Sequence, residues 1–195
     1  SAAEWASQRS SSDSRDREAD MDKGYTVIID EGIATLELKL PGKVNKIGEP
    51  FVRALTSGLD EALAADGVRG IILASGHRDF CVGADIDMLF KERDPARMLE
   101  VTTALNALYR RFEQCGRPVV CALSGSALGG GYELALACHH RIALASPKIQ
   151  VGLPEIGLGV IPGAGGTQRL PYLIGLQAAM EHIAAGQPVR APKAR

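Results

Sequence analysis

Glu133 stands two residues beyond the run Gly129-Gly-Gly131, inside the apolar stretch from Tyr132 to Cys138. A carboxylate there must be paired, reached by a pocket or neutralised, because an isolated buried charge is too costly. Burial also raises a carboxylate's pKa, which suits an acid or base working near neutrality. The plainer alternative is an exposed first-turn glutamate facing the helix dipole. A second isolated acid, Glu155, follows Pro154 among Leu153, Ile156 and Leu158. It lies in the stretch 151–170, which is otherwise apolar and glycine-rich up to Thr167, Gln168 and Arg169. No Gly-Lys-Ser/Thr follows and Arg169 is the one cation, so this is not a nucleotide triphosphate loop. Its glycines are expected to shape a tight hydrophobic lining, with Thr167, Gln168 and Arg169 as structural polar contacts in the first turns of a helix.

Two further stretches supply main-chain donors. Asp79-Phe-Cys-Val-Gly-Ala-Asp-Ile-Asp87 follows the apolar run Ile71-Ile72-Leu73, and Gly125-Ser-Ala-Leu-Gly-Gly-Gly-Tyr-Glu-Leu-Ala135 follows Val119-Val120. Both put small residues at an expected helix N-terminus, where N–H groups lack intrahelical partners and can stabilise a developing negative charge. Glycine admits a ligand close to the main chain. Each donor aimed at one oxyanion can contribute about 10²–10³ in rate. A lone Gly-Gly-Gly reads more simply as a turn or a close strand–helix contact; the acid just beyond it reverses that reading.

These stretches need elements to position them. Tyr25–Asp30 and Ile33–Leu40 read as short strands separated by Glu31-Gly32, a hairpin turn. Phe51, Val52, Leu55, Leu59 and Leu63 recur at three- and four-residue steps, which predicts an amphipathic helix over 49–65. A strand follows at 70–74, a helix at about 98–112, a strand at 118–123, and a helix after the glycine turn. Strand, strand, helix is the recurring unit, and such units must stack to bury their apolar faces. Periodicity alone does not separate a multi-turn α/β spiral from a doubly wound sheet.

The bulk composition fits one globular domain: 195 residues, 46% hydrophobic. With 22 basic and 23 acidic residues the net charge is −1, which gives no field to gather nucleic acid or anionic membrane. No apolar run approaches the ~18 residues of a membrane span. Cys81, Cys115, Cys121 and Cys138 form no Cys-x-x-Cys pair, and each sits in an apolar context, so reduced, buried thiols of an intracellular protein and no metal site are expected. Residues 1–22 carry serines and mixed charge without an apolar period and read as a tail, with Met21 a candidate natural start; residues 23–195 are the core. His77, His139, His140 and His182 read as polar structural residues, and Met88, Leu89 and Phe90 as core or acyl-pocket lining.

In this order and at these separations, the three stretches resemble the crotonase (enoyl-CoA hydratase/isomerase) superfamily, over about residues 25–188. Phe80-Cys-Val-Gly-Ala-Asp-Ile86 and the run Leu153 to Pro171 look most like the hydratase part of bifunctional enoyl-CoA hydratase/3-hydroxyacyl-CoA dehydrogenase chains. The resemblance implies a crotonase-like spiral of repeated β-β-α units and hydration of trans-2-enoyl-CoA in fatty-acid β-oxidation. It implies catalytic carboxylates at Glu133, mainly for water activation, and Glu155, mainly for proton delivery, although coupled acids make such a division approximate. The backbone N–H groups of Ala84 and Gly130 would form the oxyanion hole. Ala84, Asp85 and Ile86, and the loop Val44, Asn45 and Lys46, would contact coenzyme A. No cofactor is implied, since the acyl-CoA is the substrate. A homotrimer, a hexamer or a multifunctional β-oxidation complex is the implied assembly, and the C-terminal helical region that completes the family fold is expected to be missing. The location would be cytoplasmic in a bacterium, with a mitochondrial or peroxisomal matrix the other settings. Two other readings remain: a Δ3–Δ2-enoyl-CoA isomerase, which can manage with the Glu155 acid alone, and a non-catalytic scaffold. The family's RNA-binding branch uses a lysine-rich helix, whereas the helix near 98–112 offers only Arg110 and Arg111 within those bounds.

Overall fold

The computed structural model describes residues 23–194, so the tail expected over 1–22 lies outside the described residues. Strands β1 (Tyr25–Asp30) and β2 (Ile33–Leu38) form the expected hairpin, pairing antiparallel through Glu31-Gly32. Glu31 and Gly32 both take positive φ, 46° and 78°, as a two-residue hairpin turn requires. Helix α1 (Glu49–Ala64) then crosses over and buries Phe51, Leu55 and Leu59, the residues whose spacing announced it. Strand β3 (Gly70–Ser75) returns parallel to β2, and β4 (Val119–Leu123) parallel to β3. Between them lie the short α2 (Ile86–Lys91) and the long α3 (Pro95–Gln114).

Helix α3 begins earlier than its apolar period suggested, because Pro95 occupies its first turn and Asp94 caps it, accepting from the Ala96 N–H at 2.9 Å. After β4 come β5 (Ala127–Leu128), α4 (Gly130–Leu136), β6 (His140–Ala143) and β7 (Gln150–Gly152). A 3₁₀ turn at Glu155–Leu158, α5 (Gly166–Ile174), α6 (Leu176–Ala185), β8 (Val189–Arg190) and a second 3₁₀ turn at Ala191–Lys193 complete the described chain. The strands form a five-stranded sheet, ordered β1-β2-β3-β4-β6, and a three-stranded sheet, ordered β5-β7-β8. The path is therefore a spiral of strand-strand-helix turns. In its second turn, the single bridges Ile47 to Ala84 and Cys81 to Ala127 stand in for the second strand.

One apolar cluster runs through α1, β2, β3, α3, β4 and α4, with Phe51, Phe80, Tyr109 and Phe112 among its largest members. Cys81, Cys121 and Cys138 are buried in it as expected; Cys115 is only half-buried, since it sits at the C-terminal end of α3.

Asn45 is fully buried and departs from the ligand-contact role expected of its loop. Its amide nitrogen donates to the Leu38 carbonyl, the Ser75 hydroxyl and the Phe80 carbonyl at 3.3, 3.0 and 3.0 Å, and its oxygen accepts from the Leu40 N–H at 3.1 Å. Both amide hydrogens are thus committed to tying the ends of β2 and β3 to the segment around Phe80. Asn45→Ala should lower unfolding free energy by about 3 kcal/mol in urea denaturation, since it strands several buried partners at once.

Candidate active site

The two donor stretches meet edge to edge. Residues 81–84 run beside β5, with the Leu128 N–H donating to the Cys81 carbonyl at 3.0 Å. On their other edge, Ile47 bonds the Gly83 carbonyl at 2.9 Å and the Asp85 N–H at 3.1 Å. Because a trans peptide points its C=O and N–H in opposite directions, the Ala84 N–H faces away from Ile47, which bonds the Gly83 carbonyl. Helix α4 begins at the Gly129 turn. Its first intrahelical bonds are made by the Tyr132 and Glu133 N–H groups to the Gly129 carbonyl, at 2.8 and 2.9 Å. The Gly130 N–H precedes them, as the first turn of a helix dictates. Gly83 has φ +91°, and a Cβ there would sit 3.1 Å from the Leu128 carbonyl oxygen, so this close approach needs glycine.

Both carboxylates face this turn. Glu133 is 2% exposed, which removes the reading of a solvated first-turn glutamate. Its Oε1 accepts from the Ala164 N–H at 2.9 Å and from the Gly166 N–H at 2.7 Å. Its Oε2 lies 3.7 Å from where a Cβ on Gly130 would be. Burial pushes the Glu133 carboxyl up from its ordinary range, opposed by the Gly166 and Ala164 N–H groups and by the nearby Arg169 charge. Glu155 approaches from the other side on the 3₁₀ turn. Its Oε1 lies 2.9 Å from the position a Cβ on Gly129 would take, and its Oε2 is buried without a hydrogen-bond partner among the described residues. Desolvation, with a smaller contribution from the Glu133 charge, raises the Glu155 pKa to about 7. One acid is thus gripped by amides, and the other keeps an unpaired buried oxygen and a raised pKa.

The surroundings of Glu155 differ from the packed lining expected. Ile156, Leu158, Val160 and Ile161 are all exposed, Ile161 at 75%. Gly159, at φ +74°, ends the 3₁₀ turn in a left-handed cap, so the turn aims Glu155 inward and its apolar neighbours outward.

The other expected site residues are spread along one rim. Lys46 and Asp85 pair at 3.7 Å, both well exposed; Ile86 is 47% exposed, and Val44 is half-buried. Phe90 is exposed rather than packed, while the side chains of Met88 and Leu89 lie outside the described residues. Two of the histidines make structural contacts: the His77 ring meets the Leu40 carbonyl at 2.8 Å, and His139 Nδ1 accepts from the Val119 N–H at 3.1 Å. Ala164 and Gly166 escaped the sequence reading. The signal was there in Ala164-Gly165-Gly166, three small residues opening a helix, the same pattern that marked the other two stretches.

A cavity of about 700 Å³ lies elsewhere, with Leu123, Tyr132, Arg141, Leu173, His182 and Val189 in its walls and neither carboxylate among them. Among the described residues there is no cluster of three metal-binding side chains, and no helix is long and apolar enough to cross a membrane.

A family model described as enoyl-CoA hydratase/isomerase matches residues 28–195. The chain belongs to the enoyl-CoA hydratase/isomerase family. It is 40% identical over 177 residues to the fatty acid oxidation complex subunit alpha of Shewanella loihica, covering 89% of this chain and 25% of that protein. The protein of that name from Shewanella amazonensis is 41% identical over 169 residues, covering 85% of this chain and 24% of the relative. The chain therefore spans about a quarter of the length of these relatives. Among solved structures, an enoyl-CoA hydratase from Thermoplasma volcanium superposes with a TM-score of 0.82 at 30% identity, covering 88% of this chain and 68% of that one. The enoyl-CoA hydratase from Bacillus anthracis gives 0.80 at 33% identity, covering 88% and 66%. The spiral of strand-strand-helix turns is the crotonase fold of these enzymes.

Proposed function

We propose that this chain adds water across the 2,3-double bond of a trans-2-enoyl-CoA, giving a 3-hydroxyacyl-CoA in fatty-acid β-oxidation, as the N-terminal part of a bifunctional chain. The observation that carries the reading is the pair of buried acids, Glu133 and Glu155, on either side of one glycine turn that also presents main-chain donors. The thioester oxygen would accept from the Ala84 and Gly130 N–H groups, which draws electron density from Cβ and stabilises the enolate-like charge that forms. A water held between the acids would lose a proton to Glu133 as its oxygen attacks Cβ, and Glu155 would supply the proton taken up at Cα. The proton taken by Glu133 would return to Glu155 through solvent between turnovers, so atoms balance with water alone and the chemistry calls for no prosthetic group. Asp85, Ile86, Val44 and Lys46 form the rim along which the coenzyme A portion would lie.

The fatty acid oxidation complex relatives support assembly into a larger complex, and α5 and α6 expose Tyr172, Leu176 and Met180 for it. The bacterial relatives favour a cytoplasmic setting.

This division of labour predicts a pH profile. Glu133 must be ionised, so activity is lost as pH falls through its raised pKa; Glu155 must keep its proton, so activity falls as pH rises past about 7. The kcat for crotonyl-CoA hydration is therefore expected to be bell-shaped, with an alkaline limb near neutrality that Glu155→Gln abolishes. The reading is tested by loss of the conjugated enoyl-thioester absorbance with substrates from C4 to C16. The isomerase reading has its own support, since a single buried acid with a pKa of about 7, as at Glu155, suits proton shuttling. Glu133→Gln separates the two: hydration collapses in a hydratase, whereas conversion of a 3-enoyl to a 2-enoyl thioester survives in an isomerase.

A further inference from the structure

Helix α3 reaches the site from behind, and its polar residues are aligned. Asn106, Tyr109 and Glu113 fall at i, i+3 and i+7, which is one stripe of a helix. The stripe touches both halves of the site. Tyr109, wholly buried, donates its hydroxyl to the Gly130 carbonyl at 2.9 Å. Asn106 donates to the Gly163 carbonyl at 2.6 Å. Glu113 accepts from Arg169 Nε at 2.6 Å, and Arg169 Nη1 donates onward to the Ala164 carbonyl at 2.7 Å. The Arg169 and Glu113 side chains are only 14% and 23% exposed, so this is not a screened surface pair. The loop is pressed onto it: a Cβ on Gly165 would fall 2.0 Å from Arg169 Nη1 and 3.3 Å from Asn106 Oδ1.

We propose that Asn106, Tyr109 and Glu113, the last acting through Arg169, are positioning residues that hold the Gly130 turn and the 163–166 loop at a fixed separation, so that Glu133 is gripped by one oxygen and presents the other to the reacting water. The role of Glu133 in this rests on the hydratase reading above. The grip consists of the Ala164 and Gly166 N–H groups, both on the loop that Asn106 and Arg169 fasten. A shift of about 1 Å in such a carboxylate can cost on the order of 10²-fold in rate. The charges around Glu133 are Arg169 from α5, with Glu113 of α3 behind it and itself shared with Arg110 at 3.0 Å, and Glu155 from the 3₁₀ turn; the Tyr109 hydroxyl is held neutral by burial. Arg169 opposes the effect of burial on Glu133, and Glu113 partly cancels Arg169.

The test uses the full-length protein with R169Q, R169K, E113Q and Y109F, read by hydrogen exchange of the Ala164 and Gly166 amides and by the pH dependence of crotonyl-CoA hydration. R169Q is expected to speed exchange of those two amides at least about tenfold, to lower kcat by about 10–100-fold with KM within about twofold, and to move the acidic limb to higher pH. R169K should restore the limb by returning the charge. E113Q should move the limb the other way, to lower pH, because the Arg169 charge is then less cancelled. Y109F should lower kcat and leave the limb in place. The proposal is overturned if R169Q and E113Q leave both amides and the limb unchanged, or shift the limb in the same direction. It is equally overturned if every rate loss simply tracks a fall in melting temperature. Should R169Q not fold, E113Q and R169K decide: R169K leaves the limb in place while E113Q speeds exchange of the Ala164 and Gly166 amides, and unchanged exchange in E113Q overturns the proposal. A wild type that hydrates nothing strikes the hydratase reading, while the exchange of Ala164 and Gly166 in R169Q still decides whether the stripe positions the loop.

Discussion

Glu133→Gln and Glu155→Gln are each expected to cut crotonyl-CoA hydration by about 10²–10⁴-fold, the range lost with a positioned acid or base. Stability should separate them. The Glu155 carboxyl has its pKa raised from 4.5 to about 7, so the folded state favours its neutral form. The sign follows from linkage: unfolding lets this acid ionise more readily, so the fold loses stability as pH rises from 4.5 through 7. A neutral glutamine at 155 escapes that loss, and E155Q should melt higher than wild type at pH 8 while being nearly inactive. E133Q gains less, because the ionised Glu133 carboxylate is already held by the Ala164 and Gly166 N–H groups, which a glutamine oxygen accepts more weakly. Melting curves at pH 5 and pH 8, set beside initial rates, check both statements. A residue that loses activity but gains alkaline stability is the signature of a carboxylate kept for chemistry rather than for the fold.

Gly129→Ala should be nearly as damaging to activity. Gly129 has φ +54° and ψ −131°, a conformation that an alanine adopts at a cost of about 1–3 kcal/mol. The new methyl would also sit 2.9 Å from Glu155 Oε1, so the acid must swing away from the turn. Loss of about 10²-fold in hydration is expected, with the neutral-pH limb lost together with the acid that produces it. Gly116→Ala is the matched control: its φ is +73° and nothing lies within 4 Å of the added carbon, so stability should drop while activity holds. Equal activity loss in both variants would place the effect in the backbone rather than in the contact with Glu155.

The helices and strands were legible where one face is apolar, as with Phe51, Leu55 and Leu59 of α1, since burial there follows period alone. The start of α3 was missed by that criterion because its first turn is set by the Asp94 cap and Pro95, not by apolar residues. Both acids and the glycine turn were legible because a charge in an apolar helix and glycines at a strand end are locally anomalous. Asn45 was read only as part of a loop contacting coenzyme A; its side chain is an internal tie, which was hidden because its partners Ser75 and Phe80 are remote in sequence. The grip on Glu133 was hidden for the same reason: Ala164 and Gly166 act through main-chain N–H groups that any residue but proline carries. The exposure of Ile156 and Leu158 follows from a short 3₁₀ turn that Gly159 closes, which apolar content alone does not reveal.

A double-mutant cycle on crotonyl-CoA hydration tests the shared work of the two acids most directly, comparing wild type, E133Q, E155Q and the pair. If Glu133 and Glu155 divide one water between them, the wild type hydrates and the double variant is scarcely slower than either single one, because a unit once broken has little more to lose. Multiplicative losses, or a wild-type rate that survives either substitution, would contradict the account.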